Sequence, residues 1–168
     1  MKQMTVALAG NPNVGKRTLF NALTGLHQHT GNWPGKTVAL ARGKCRYGDT
    51  EILLVDLPGT YALSGGSEDE RIAADFITSG EAHCTVVVCD GSCLERSLIL
   101  ALQIIGTASP VVVCVNLMDE ARRRGITVLE EPLESALGVP VVYTAAGKKK
   151  GLRALLSAVT RSQPVRTP

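Results

Sequence analysis

Residues 10–25 read GNPNVGKRTLFNALTG. The apolar run MTVALA precedes them, and a helical pattern opens at Lys16 and runs to Leu23. A glycine-bearing turn between a strand and a helix points successive backbone N–H groups inward, and the helix N-terminus adds a partial positive charge. That is a cradle for phosphate, with Lys16 placed to reach the outer phosphates. Gly10, Asn11, Asn13, Val14, Gly15, Lys16, Arg17 and Thr18 are therefore the candidate phosphate-binding residues. Arg17 breaks the pattern, because a serine or threonine is expected there to hold magnesium. A guanidinium cannot ligate a cation, and its charge opposes one in the same place. Thr18 points about 100° further round the helix.

Three stretches further along the chain decide whether the cradle is real. VDLPGT sets Asp56 at the end of a strand and Gly59 three residues on, with Leu57 and Pro58 between. Such a carboxylate orients magnesium through water, and the Gly59 N–H is available to a γ-phosphate. VNLMD sets Asn116 and Asp119 at the end of another strand. A carboxylate there accepts two hydrogen bonds from guanine, from N1–H and the exocyclic amine, and adenine has no such donor pair. YTAAG places Thr144, Ala145 and Ala146 in a second base-contacting loop, where the Ala146 N–H faces the guanine oxygen. Each motif is short, but all fall in order at carboxyl ends of expected strands, where open α/β sheets bind ligands.

The rest of the sequence fits one globular domain. It has 168 residues, 45% of them hydrophobic, which argues against disorder. The formal charge is only +3 and aromatics are 4%, so the short Arg122–Arg124 and Lys148–Lys150 runs read as solvated surface and no nucleic acid is expected as a partner. Five cysteines without metal-type spacing suit a reducing compartment, with Cys84, Cys89 and Cys114 as core residues. The apolar region from Leu98 to Leu117 is interrupted by Gln103, Gly106 and Ser109-Pro110, so it reads as a helix end, a turn and a strand. The chain is expected to be soluble.

Apolar runs alternate with helical patterns over Lys16–Leu23, Glu68–Ser79, Cys93–Ile105, Leu129–Leu137 and Gly151–Val159. Runs apolar on both faces suit parallel strands covered by helices. TVALARGKCRYGDTEILLVD departs from this as two extended runs around Tyr47–Thr50, an antiparallel hairpin. The expected fold class is α/β: a Ras-like P-loop GTPase of about six strands, mostly parallel with one antiparallel strand, and helices on both faces. Residues 1–161 form this domain, and 162–168 read as a tail or linker stump.

GNPNVGK, TGNWPGKTV, DLPGTYAL and VNLMD together resemble the amino-terminal G domain of FeoB, the bacterial ferrous iron transporter. The resemblance runs from about Thr5 to Val159. It implies GTP and GDP binding and slow GTP hydrolysis, on the cytoplasmic side of the bacterial inner membrane. The transmembrane iron-permease region of the same polypeptide would be the partner, outside this chain. It assigns Gly35, Lys36 and Thr37 to switch I, with Thr37 meeting magnesium and the γ-phosphate, and Asp56–Gly59 to switch II. It makes Thr37 and Asp56 magnesium residues and Asn13 a potassium residue. Asn13, Lys16, Thr37 and Gly59 are then the residues expected to carry catalysis. Thr60 stands where Ras-type enzymes carry a water-orienting glutamine, so a potassium ion would supply transition-state charge instead. Trp33 reads equally as a hydrophobic latch and a nucleotide contact, and the His27/His29 pair is a poor metal site.

Two departures from the family bear on activity. Arg17 should weaken magnesium while leaving GDP binding intact, which opens the alternative of a nucleotide-gated module with little hydrolysis. Ala145 replaces an expected serine, which would loosen the base loop. The family also continues into a small helical domain and then the membrane; neither is expected in this chain, and the exposed surface would permit self-association. An Era-like ribosome-associated GTPase is a further alternative, disfavoured by the Asn32–Gly35 string and by the lack of a basic extension.

Overall fold

The computed structural model describes residues 2–25, 28–32, 39–107 and 109–162. Its seven strands are β1 (Lys2–Gly10), β2 (Gln28–Asn32), β3 (Ala39–Tyr47), β4 (Thr50–Asp56), β5 (Cys84–Asp90), β6 (Val111–Asn116) and β7 (Val141–Tyr143). They form one sheet in the order β2-β3-β4-β1-β5-β6-β7. The helices are α1 (Lys16–Thr24), α2 (Glu68–Thr78), α3 (Leu94–Ile105), α4 (Met118–Arg123), α5 (Glu130–Leu137) and α6 (Leu152–Arg161), with a 3-10 turn at Ala146–Lys148.

Alternation along the central strands builds two cores. Met4, Val6 and Leu8 face one side of β1 with Leu19, Phe20 and Leu155. Ala7 and Ala9 face the other with Phe76, Ile77 and Leu100. In β5, Val86 and Val88 share the first face while Val87 and Cys89 share the second. Both sides are covered, which is why these runs read as continuously apolar.

β3 runs against both its neighbours and the other neighbouring pairs are parallel, so the single reversed strand is as expected. Tyr47 pairs with Thr50 across a two-residue turn. Gly48 takes φ +60 there, a conformation that costs glycine little and that matches the twist of the flanking strands. The sequence suggested about six strands; the seventh is β2. Its residues, QHTGN, are polar with a central glycine and have weak strand propensity, and they form a strand because β3 offers them an open edge, from Gln28↔Gly43 to Asn32↔Ala39. α4, six residues long, is too short to show a helical period. The region from Leu98 to Leu117 divides as expected, with α3 ending at Ile105 and β6 starting at Val111. No helix among the described residues is long and apolar enough to cross a membrane.

This topology brings Gly10, Asp56, Asp90, Asn116 and Tyr143, the last residues of β1, β4, β5, β6 and β7, to one rim of the sheet. The loops carrying the motifs all leave from that rim.

Candidate phosphate and base site

The turn between β1 and α1 has two left-handed residues, Asn13 at φ 67 and Gly15 at φ 81. Asparagine tolerates this region better than most side chains. Gly15 is required for a second reason: a Cβ there would collide with the amide nitrogen of Asn116. Gly15 is also the N-cap of α1 and supplies no side-chain cap, so no side chain of the cap residue closes the helix end that faces the cavity. That cavity, about 660 Å³, is lined by Asn13, Lys16, Arg17, Thr18, Asp56 and Gly59 among others.

Lys16 is tied to the end of β4. Its Nζ donates to Asp56 Oδ1 and, at 2.7 Å, to the Leu57 carbonyl. Arg17 approaches the other carboxylate oxygen, with Nη2 3.5 Å from Oδ2. The Asp56 side chain is 5% exposed, whereas that of Arg17 is 60% exposed and its guanidinium lies 5.8 Å from the centre of the Phe20 ring. The Thr60 N–H donates to the Gly10 carbonyl at 3.0 Å, and the Thr60 residue is buried. The position after Gly59 thus closes onto the phosphate loop and offers no exposed side chain to orient a water.

Asn116 organises the base side. Its Nδ2 donates to the Val14 carbonyl at 3.1 Å, and its Oδ1 accepts from the Thr144 hydroxyl at 2.9 Å and the Ala146 N–H at 3.1 Å. At 1% exposure it is a clamp between the two loops. The Ala146 N–H, expected to face the guanine oxygen, is engaged with this clamp in the structure. Asp119 stands on the first turn of α4, 3.9 Å from Lys148 Nζ. Ala145 exchanges backbone hydrogen bonds with Lys150 at 3.1 and 3.2 Å, so the loop is closed by main chain at the very residue where a serine hydroxyl was expected. A second cavity, about 400 Å³, lies between α1 and this loop, lined by Thr18, Asn21, Ala146 and Lys149 among others.

Of the sequence candidates, Gly35, Lys36 and Thr37 of switch I, with Trp33 and His27, lie outside the described residues. The structure adds residues that the motifs did not contain. Arg96 stacks its guanidinium 5.0 Å from the centre of the Tyr61 ring, and its carbonyl accepts from Asn11 Nδ2 at 3.3 Å. Gln103 Oε1 accepts from the Leu63 N–H at 2.7 Å. Arg96 and Gln103 stand seven residues apart on one face of α3 and strap down Tyr61 and Leu63, just beyond the expected switch II. Two polar residues at that spacing in an apolar helix were the available signal.

A family model described as Ferrous iron transport protein B matches residues 4–159. The chain belongs to this family, FeoB. It is 43% identical over 165 residues to the Fe(2+) transporter FeoB of Escherichia coli K12, covering 96% of this chain and 21% of that protein. The chain therefore spans about a fifth of the length of the curated relatives it matches. Among solved structures, the G domain of T. maritima FeoB aligns with a TM-score of 0.87 and 41% identity, over 95% of this chain and 98% of that one. A mutant S. thermophilus NFeoB bound to GDP aligns at 0.86 and 38%, over 97% and 63%. The shared fold is the Ras-like G-domain fold expected from the motif order, and the family leaves the Era-like alternative without support.

Magnesium is the metal expected from the sequence, at Asp56 and Thr37. Magnesium takes six oxygen ligands at about 2.0–2.1 Å in near-octahedral geometry. The described residues around Asp56 offer one carboxylate, each oxygen of which already faces a cation, and an arginine in place of the hydroxyl. The described residues alone thus do not supply a magnesium site; Thr37, the other expected magnesium residue, lies outside them. No group of three or more His, Cys, Asp or Glu side chains among the described residues could hold a metal ion either, so no iron site is found there.

Proposed function

We propose that this FeoB domain binds guanine nucleotides and hydrolyses GTP slowly, as a switch that regulates ferrous iron uptake across the bacterial inner membrane. The observation that carries this reading is the Asn116 clamp, which holds the phosphate loop and the base loop in one rigid unit. The GDP bound to the S. thermophilus relative supports it. In this reading Gly10–Thr18 cradle the phosphates, Asp119 reads the guanine N1–H and amine, and Thr144–Ala146 wall the base. Switch I, at Gly35–Thr37, and switch II, at Asp56–Gly59, respond to the γ-phosphate. The domain sits on the cytoplasmic side, and its partner is the membrane-spanning permease region of the FeoB polypeptide.

Hydrolysis has no glutamine to orient water, since Thr60 is buried against the phosphate loop. Charge for the transition state would come from Lys16, and a potassium ion held beside Asn13 would add positive charge there. A second reading, a nucleotide-gated module that seldom turns over, is favoured by the pairing of Arg17 with Asp56. Calorimetry with GDP, a non-hydrolysable GTP analogue and ADP, followed by single-turnover phosphate release in potassium and in sodium, tests both. Guanine-selective binding with faster release in potassium is the expected result. Binding without release in either salt selects the second reading, and equal affinity for ADP overturns the proposal.

A further inference from the structure

We propose that Arg17 takes the place of the divalent cation at the phosphate site, so that this chain binds its nucleotide as the metal-free phosphate. The inference rests on the guanine-nucleotide reading and specifies the ligand's form.

Lys16 and Arg17 are consecutive residues on the first turn of α1, and they bracket one carboxylate. Lys16 Nζ meets Asp56 Oδ1, and Arg17 Nη2 stands 3.5 Å from Oδ2. Because the Lys16 and Asp56 side chains are nearly inaccessible to water, their pairing is weakly screened, while Arg17 stays largely solvated. A divalent ion entering beside Asp56 would meet two positive side chains and would have to displace one of them. It would also lack the hydroxyl ligand that residue 17 supplies elsewhere, because a guanidinium only donates.

The same substitution supplies what the metal would. A guanidinium binds phosphate oxygens through two parallel N–H donors. Arg17 lines the same cavity as Asn13, Lys16 and Gly59, and its side chain is 60% exposed, so a phosphate entering the cavity meets its guanidinium beside the Lys16 ammonium. Lys16 and Arg17 against Asp56 leave a net charge of about +1 at the site, to which the helix end adds roughly half a charge. An anionic phosphate chain is then matched by groups built into the protein, and magnesium in solution competes for it instead of helping to bind it.

The test is a titration of the chain and of Arg17→Ser with GDP and with a non-hydrolysable GTP analogue, each in excess magnesium and in chelator. Native affinity is expected to be weaker in excess magnesium than in chelator, by about threefold or more, because magnesium withdraws the metal-free nucleotide, whereas Arg17→Ser should bind more tightly in magnesium by about tenfold or more. Manganese as a spectroscopic probe should give the signal of manganese bound to free nucleotide with the native chain, and a protein-bound signal with Arg17→Ser. Native binding that tightens in magnesium, or a variant whose binding weakens in magnesium as much as the native chain's, overturns the inference. Absence of binding by both proteins in both conditions overturns the guanine-nucleotide reading itself, and this inference with it.

Discussion

The side-chain amide of Asn116 donates to the Val14 carbonyl across 3.1 Å, joining loops that lie 102 residues apart in sequence. On its other side the same amide holds Thr144 and Ala146. One buried side chain thus fixes the distance between the 10–15 turn and the 144–146 loop, the proposed phosphate cradle and base loop.

Asn116→Ala removes three buried hydrogen bonds and leaves a hydroxyl, an N–H and a carbonyl without those partners. The expected cost is about 2–5 kcal/mol of folding stability. Denaturant unfolding measures it, and nucleotide affinity should fall by more than about tenfold even under conditions where the variant remains folded.

Gly15→Ala should impair the site more than its small volume suggests. The new methyl collides with the Asn116 amide, and the backbone at φ 81 disfavours any side chain. The strained conformation alone costs about 1–3 kcal/mol. Unfolding and GDP titration of the variant should both show a loss, with binding affected at temperatures where the fold survives.

The segment following Gly59 is strapped to α3 through Tyr61 over Arg96 and the Leu63 N–H on Gln103. Gln103→Leu or Arg96→Ala should cost about 0.5–1.5 kcal/mol globally. Amide exchange over 57–66 should accelerate much more than exchange in β1 or β5. Uniform acceleration across the sheet would mean that the contacts support the whole fold and not the switch alone.

Burial pushes the Cys84 thiol up to about 11, and those of Cys89 and Cys114 up to about 12. A raised thiol pKa leaves little thiolate: at pH 8 a group titrating near 12 is about one part in ten thousand ionised. Cys93 is exposed and Cys45 half-buried, its thiol pushed to about 11 by burial. Titration with a chromogenic disulfide at pH 8 should therefore label Cys93 rapidly, and the three buried thiols should react only as the protein unfolds.

Much of this was legible in the sequence because strong local patterns and global packing agree. The Val-rich runs became β5 and β6, and Ser67 caps α2 through the Glu70 N–H as its place before an acidic turn implied. β2 was not legible, since nothing in QHTGN favours a strand and only pairing with β3 makes one. In the site, Gly15, Lys16, Asp56 and Asn116 stood out by spacing. What spacing cannot show is direction: that Arg17 turns to Asp56, and that Asn116 faces the protein on every bond described here. The Arg96 and Gln103 straps left only two polar residues spaced along α3 as a signal, and that spacing has no meaning until the segment after Gly59 is laid against the helix.

The central claim, that the rim of this sheet reads guanine through Asp119, is tested most directly by nucleotide selectivity in Asp119→Asn. A carboxylate accepts from the N1–H and amine of guanine, whereas an amide also donates, which suits the C2 oxygen of xanthine. The native chain should bind GDP in preference to both ADP and xanthosine diphosphate. The variant should lose GDP affinity by about a hundredfold and gain for xanthosine diphosphate. Unchanged GDP binding in the variant, or a native chain indifferent to the base, would contradict the account.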